Sequence, residues 1–414
     1  MKTRSKTNKK HKTNKNHKTK KYNRYSWKSL QKTNCMYVNK IKVNKNNIKL
    51  KKIALEEAIT WPTQETDVNE KPPLEYLINQ GKGYDKTNKL LDLTGLRLNE
   101  MNENNIQYQI LSYTASGIQG LKYIANTTGP NDQVRKAIEV NNYMYNKIKE
   151  NPFRFKAFAT LPMSSPKHAV KELDRCVKDL GMVGVLLNGN DVIYKRGKHL
   201  LNKMLFYDTP QYDVFWQKLV DLDVPLYIHP RVYGSPSESV PDKYLDSFYK
   251  EYPQLPGSAW GFSIYLAQQI LRLILSGVFD RFPKLKLILG HMGEILPWWA
   301  DRFDHRLCIY KNELNQISKN ILKNDKLPKF KIPKLTLREY LKQNIYVTTS
   351  GWFSDSALKY VIDVMGVDRV LFSIDYPYEQ QKMASDWIDN VDLPLEQKEK
   401  IAYKNAAKLL KIKM

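Results

Sequence analysis

Four residues carry the side chains most suited to chemistry, and each sits at the end of an apolar run. Glu56 closes Ile53–Glu57, and His229 closes Pro225-Leu-Tyr-Ile-His-Pro-Arg231. His291 follows Leu285–Leu289 in Gly290-His-Met-Gly-Glu294, and Asp375 closes Phe372-Ser-Ile-Asp-Tyr-Pro377. Glu, His and Asp are ligand types for a divalent cation, and His and Asp also move protons. A single strand-end His is more often structural, and a single strand-end Asp is often a helix N-cap. Four at equivalent positions point to one site.

The elements that must position them read as eight strands alternating with helices. Strand-like runs fall at Ile53–Glu57, Gln107–Ser112, Phe155–Thr160, Val183–Leu187, Pro225–His229, Leu285–Leu289, Ile345–Thr348 and Val370–Ile374. Helical patterns fall near 90–104, 131–150, 166–180, 210–222, 260–277, 294–310, 354–364 and 380–390, with a last one near 395–411. This predicts an α/β fold, a (β/α)8 TIM-like barrel over 49–414, in which strand ends converge on one mouth. An open doubly wound sheet is the alternative, weakened because no Gly-rich phosphate fingerprint follows the first strand. Insertions are expected at about 60–90, 231–258 and 311–335. Alternation places Ala54, Glu56 and Ala58 on one face and Ile53, Leu55 and Glu57 on the other. The apolar face is expected against the helices, which makes Glu56 the inward ligand and Glu57 a supporting or rim residue.

Of 414 residues 42% are hydrophobic, enough for a large core, which argues against wholesale disorder. The net charge of +25 is localised. Residues 1–52 contain 19 Lys or Arg and no acid, leaving 48 bases against 42 acids elsewhere. Residues 1–48 therefore read as a low-complexity, disordered basic tail, with nucleic-acid binding, nuclear targeting or contact with an anionic surface as the sharper alternatives. Cys35, Cys176 and Cys308 form no C-x-x-C pair or disulfide framework, which fits a reducing, cytoplasmic setting. No apolar signal segment leads the chain. The apolar stretch Trp260–Phe279 is interrupted by Gln268, Gln269 and Arg272, so it reads as a buried or amphipathic helix rather than a membrane span.

From residue 52 onward the chain resembles the amidohydrolase-related superfamily. Within it the match is to the aromatic-acid decarboxylase branch, which includes 2,3-dihydroxybenzoate, γ-resorcylate, orsellinate and 5-carboxyvanillate decarboxylases. The resemblance rests on Lys52-Ile-Ala-Leu-Glu-Glu-Ala58, Gly95-Leu-Arg97, Tyr227-Ile-His-Pro-Arg231, Leu289-Gly-His-Met-Gly-Glu294, Asp304-His-Arg306, Thr348-Thr-Ser-Gly351 and Leu371-Phe-Ser-Ile-Asp-Tyr-Pro377. It implies that Glu56, His229 and Asp375 bind one divalent metal (Mg²⁺, Mn²⁺ or Zn²⁺) with no organic cofactor. It implies that His291, paired with Glu294, does acid–base work, and that the protein forms homo-oligomers. Arg302 and, more weakly, Arg97 are implied as substrate contacts, against a helix-packing role for Arg97. Trp61, Phe262, Trp352 and Tyr378 are candidate walls for a flat ring.

One departure is informative. Superfamily members often carry His-x-His or Glu-x-His on the first strand, whereas this chain has Glu56-Glu57-Ala58. Two carboxylates and one imidazole remain, which favours Mg²⁺ or Mn²⁺. The expected reaction is metal-dependent, non-oxidative decarboxylation of a hydroxylated aromatic acid, with Asp375 or His291 as the proton source. The first rival is a metal-dependent hydrolase of an ester, lactone or amide. The missing His-x-His and the fourth strand's end, Leu187-Asn-Gly189, which lacks a metal-bridging lysine, weigh against it. The second rival is a non-catalytic barrel with a nucleic-acid-binding tail.

Overall fold

The structure is a computed structural model that describes residues 48–61, 88–120, 123–124, 130–194, 203–231, 251–252, 255–320 and 332–414. The basic tail, but for Ile48, and most of the expected insertions lie outside the described residues. The barrel strands are β1 (Lys52–Ile59), β2 (Ile106–Tyr113), β3 (Phe155–Ala159), β4 (Gly184–Asn188), β5 (Leu226–His229), β6 (Leu287–Leu289), β7 (Ile345–Thr348) and β8 (Val370–Leu371). They form one sheet in chain order, and each pairs with the next in parallel. The ring closes through a bridge between Glu57 and Tyr376 and the Ala58 N–H donating to Tyr376 O at 2.8 Å. This is the expected TIM-like barrel.

The main helices are α1 (Leu96–Glu103), α2 (Pro130–Glu150), α3 (Pro166–Lys178), α4 (Asp213–Leu222), α5 (Gly261–Leu275), α6 (Leu296–Asn320), α7 (Leu337–Gln343), α8 (Asp355–Met365) and α9 (Gln381–Asn390). Short helical segments follow from Leu395 to Leu410. Local sequence explains several boundaries. α3 starts on Pro166 after Ser165 and buries Ala169, Glu172, Leu173 and Cys176, the spacing of one helical face. α7 starts with a Thr336–Glu339 capping box. α6 runs ten residues past the expected end at 310, so the first part of the expected 311–335 insertion is helix. α5 is the amphipathic helix foreseen at 260–277. Among the described residues no helix is long and apolar enough to cross a membrane.

Two apolar layers make the core. The outer layer joins alternate strand residues, including Ala54, Leu111, Val185, Ile228 and Val347, to the helices. The inner layer takes Ile53 and Leu55 from β1 and Ile110, Phe158, Leu186, Tyr227, Ile288 and Leu371 from other strands. Ala406, Leu409, Leu410 and Ile412 join it from the C-terminal end of the chain and floor the barrel. Burying each such Leu or Ile contributes about 1.5–3 kcal/mol.

This corrects the expected facing of β1, because Ile53 and Leu55 point inward and Ala54 points to the helices. Glu56 also reaches the interior, where Tyr227 bonds it, because the β1–β2 register shifts between Ala54 and Glu57. The irregularity breaks the alternation at Glu56.

Beyond β4 a buried polar knot ties the mouth loops. Asp191 accepts from Gln133 Nε2 at 2.6 Å and from the Tyr207 hydroxyl at 3.0 Å. Burial pushes its carboxyl up to about 7, against the bonds from Gln133 and Tyr207 and the charge of Arg231. A folded pKa above the unfolded one gives stability that is complete below about pH 4 and lost as pH rises through 7. Asp191→Asn should therefore melt about 3 °C higher than wild type at pH 8 and no higher at pH 4. Melting curves across pH check this, and a gap independent of pH would refute the neutral carboxyl.

Candidate active site

All four chemistry-bearing residues meet at the carboxyl ends of β1, β5, β6 and β8. His229 Nε2 lies 3.2 Å from Glu56 Oε1, and His291 Nε2 lies 3.9 Å from the same oxygen and 3.6 Å from Asp375 Oδ2. Donor atoms of Glu56, His291 and Asp375 lie within 4.8 Å of one another. Phe262 presents an edge-on contact to the His229 ring, centroids 6.3 Å apart.

Each group is oriented from behind. His291 Nδ1 pairs with Glu294 Oε1 at 2.7 Å, and Ser263 Oγ donates to Glu294 Oε2 at 2.5 Å. Ser263 is thus on the far side of the carboxylate from the ring and supports it. The backbone at His291, Met292 and Glu294 is left-handed, with φ of 47°, 57° and 57°, and Asp375 has φ of 78°. Such values in non-glycine residues are held in place by surrounding structure and cluster at functional sites. Asp375 is braced by Glu57, which accepts from Ile374 N at 3.1 Å and from Ser373 Oγ at 3.2 Å. Burial pushes the Glu57 carboxyl up to about 8.

The electrostatics separate the Glu56 and Asp375 carboxylates. Burial works against ionised Glu56, but His291 and His229 bring it down to about 2. Burial, then the charge of Glu56, raise Asp375, with His291 opposing. Burial lowers His291, yet Glu294, Glu56 and the bond to Asp375 carry it well above the usual imidazole range.

Glu56 Oε1 is buried without a hydrogen bond, while Oε2 is occupied by Tyr227. His229 Nδ1 is likewise buried without a hydrogen bond. A buried carboxylate oxygen without a hydrogen bond, with two imidazole nitrogens and a second carboxylate around it, offers the mixed oxygen and nitrogen donors that a divalent cation takes. The residues therefore fit a divalent cation.

Gly290 makes the geometry possible. A Cβ there would stand 2.9 Å from Glu56 Oε2 and 3.1 Å from the Tyr227 hydroxyl. Gly290→Ala should displace the carboxylate and cost about 1–3 kcal/mol of stability through overpacking. Calorimetry together with Mn²⁺ titration checks it, and unchanged Tm and affinity would show that the pocket relaxes freely.

The remaining sequence candidates fall elsewhere. Arg97 is fully buried, donating to Ala58 O at 2.8 Å, Asp92 O at 2.9 Å, Lys89 O at 2.9 Å and Gln109 Oε1 at 3.3 Å, with its guanidinium over the Tyr376 ring. Those donors are directed into the barrel wall, the geometry of the helix-packing alternative for Arg97. Arg302 is exposed on α6 and is not in the four-residue cluster. Trp352 stacks on Trp298, centroids 5.0 Å apart, and Tyr378 pairs its hydroxyl with Thr114 Oγ1 at 2.6 Å beside the Asp375 turn. Trp61 lies under Lys136 Nζ. Sequence reasoning missed the roles of Tyr227, Thr348, Ser350 and Ser263. Tyr227 was findable, since two residues before His229 on a strand means the same face.

A barrel with metal-compatible acids and imidazoles at its mouth defines a metal-dependent class, and comparison with known proteins places it. The amidohydrolase family model Amidohydro_2 matches residues 90–306 and 336–412, and the chain belongs to this family. It is 37% identical over 324 residues to a gamma-resorcylate decarboxylase from Polaromonas sp. (strain JS666), covering 78% of this chain and 89% of that one. A 2,6-dihydroxybenzoate decarboxylase from Rhizobium superposes with a TM-score of 0.72 at 34% identity, covering 88% of this chain and 99% of that one. A dihydroxybenzoic acid decarboxylase from Polaromonas sp. JS666, solved with bound manganese and the inhibitor 2-nitroresorcinol, gives 0.70 at 34% identity, covering 88% and 97%.

Proposed function

We propose that this protein is a metal-dependent, non-oxidative decarboxylase of a dihydroxybenzoate-type acid. The observation that carries the reading is the unbonded, buried Glu56 Oε1 facing His229, His291 and Asp375. It is supported by relatives named as decarboxylases of such acids, one of them solved with manganese. Glu56, His229 and Asp375 would hold one Mn²⁺ or Mg²⁺, in keeping with the two hard carboxylate donors. When bound, that ion neutralises and orients the acid's carboxylate and neighbouring hydroxyl oxygen.

The proton comes from the His291–Asp375 pair. Their Nε2 to Oδ2 separation of 3.6 Å keeps both groups directed at one position. Glu294 fixes the ring tautomer and favours its charged form. The proton is placed on the ring carbon bearing the carboxylate, which becomes tetrahedral. The carbon–carbon bond then breaks, its electron pair restores the aromatic ring, and CO₂ leaves. One proton is consumed per turnover, and solvent returns it to the pair. Phe262 borders the site beside His229 as an apolar wall.

The test is Mn²⁺-loaded protein offered 2,6-dihydroxybenzoate, 2,3-dihydroxybenzoate, orsellinate and 5-carboxyvanillate, with ring absorbance and CO₂ followed. Turnover of at least one is expected. Hydrolysis of simple esters or lactones with no decarboxylation would replace this reading with the hydrolase. The same proposal includes a homo-oligomer in a reducing, cytoplasmic setting and needs no organic cofactor. Deleting residues 1–48 should leave turnover intact, whereas nucleic-acid association lost on that deletion would assign the tail a separate role.

A further inference from the structure

Tyr227 is fully buried in the inner layer of the barrel, and its hydroxyl reaches upward into the site. It donates to Glu56 Oε2 and pairs with Thr348 Oγ1 at 3.0 Å. Thr348 Oγ1 in turn pairs with Ser350 Oγ at 2.8 Å, and Ser350 Oγ accepts from the His291 backbone N–H at 3.1 Å. Gly290 leaves the space in which Glu56 and Tyr227 meet. A continuous chain of hydroxyls thus links the first-strand carboxylate to the backbone of the acid–base histidine across β5 and β7.

We infer that Tyr227 is a positioning residue of the metal centre: by engaging Glu56 Oε2 it leaves Oε1 as the single oxygen presented to His229, His291 and Asp375. The inference rests on the metal-dependent reading above. The geometry gives Glu56 one engaged oxygen and one unbonded oxygen, both buried, so turning the carboxylate out of this plane would give up its bond from Tyr227. Partners that hold a metal ligand in this way typically change metal affinity by about 10–100-fold when removed. The hydroxyl chain carries the same constraint to His291, so ligand geometry and proton geometry are set together.

The test uses full-length apoprotein titrated with Mn²⁺, with free Mn²⁺ followed by electron paramagnetic resonance and folding followed by Tm. Tyr227→Phe keeps the ring and its packing, and should weaken Mn²⁺ binding about tenfold. A merely structural role would lower Tm and leave affinity unchanged. In a Glu56→Gln background the Tyr227→Phe effect should disappear, because the oriented charge is gone. Should Tyr227→Phe fail to fold, Thr348→Val breaks the hydroxyl chain while keeping side-chain shape, with about threefold weaker binding expected. Wild-type affinity in either folded variant overturns the inference. Wild-type protein that binds no Mn²⁺ rejects both this inference and the metal centre. Wild-type protein that binds Mn²⁺ but decarboxylates no acid rejects the proposed reaction alone, and the variant affinities still decide the role of Tyr227.

Discussion

Asp375→Asn should reduce turnover of a decarboxylated substrate by about 10³-fold while leaving the protein folded. Asparagine is isosteric and tolerates the left-handed backbone at this position, φ 78°. The turn is held by main-chain bonds that survive the change, from Tyr378 N at 2.8 Å and Glu379 N at 3.0 Å to the Asp375 carbonyl. Glu57 still grips the Ile374 and Tyr376 amides on either side. What is lost is a negative charge and an exchangeable carboxyl proton, the two properties the proposed role requires. Steady-state rates at saturating Mn²⁺, beside a melting curve, give the answer. A rate within tenfold of wild type would remove Asp375 from the chemistry.

The second large effect is a split between the two histidines. His229→Asn should weaken Mn²⁺ binding by about 100-fold, and His291→Asn should keep most of the binding while lowering turnover by about 10²–10³-fold. The geometry makes this a demanding comparison, because His291, not His229, shares with Glu56 and Asp375 the cluster whose donor atoms all lie within 4.8 Å of one another. Two observations favour the proposed division. His229 Nε2 is the imidazole nitrogen nearer to the unbonded Glu56 Oε1, at 3.2 Å against 3.9 Å. His291 is locked to Glu294 at 2.7 Å, a partner that favours its protonated, non-ligating form. Calorimetric titration with Mn²⁺ separates the cases, and loss of binding in His291→Asn with retention in His229→Asn would exchange the two roles.

The barrel was legible because its signal is periodic and repeated. Runs such as Val185–Leu187 and Leu287–Leu289 are apolar throughout, as parallel strands buried on both faces must be. The site was legible because its members end those runs. Strict alternation failed at β1, since a register shift cannot be seen in the string Leu55-Glu56-Glu57 and depends on how β2 pairs with it. Glu56 was reached by reasoning that misplaced its neighbours. Arg97 could not be resolved from sequence, because a buried arginine and a substrate arginine share the same letter. The difference lies in carbonyls at Ala58, Lys89 and Asp92, which only the fold brings to it. The hydroxyl chain through Thr348 and Ser350 was hidden for a related reason, because it crosses three strands and has no period of its own.

The seam between β8 and β1 has a consequence for how the site comes into being. Glu56 N bonds Ser373 Oγ, and Ile374 N bonds Glu57, each across a sequence separation of 317 residues. Contacts of that range are paid for in chain entropy before they return any enthalpy, so they form late. Glu56 and Asp375 stand on opposite sides of that closure. A partly assembled barrel therefore holds His291 and Glu294 within one local segment, but lacks the full set of groups proposed to hold a cation. On the proposed reading, capacity to bind a divalent cation becomes a readout of complete ring closure, and a chain that has folded every strand but the last should be inert toward both metal and acid.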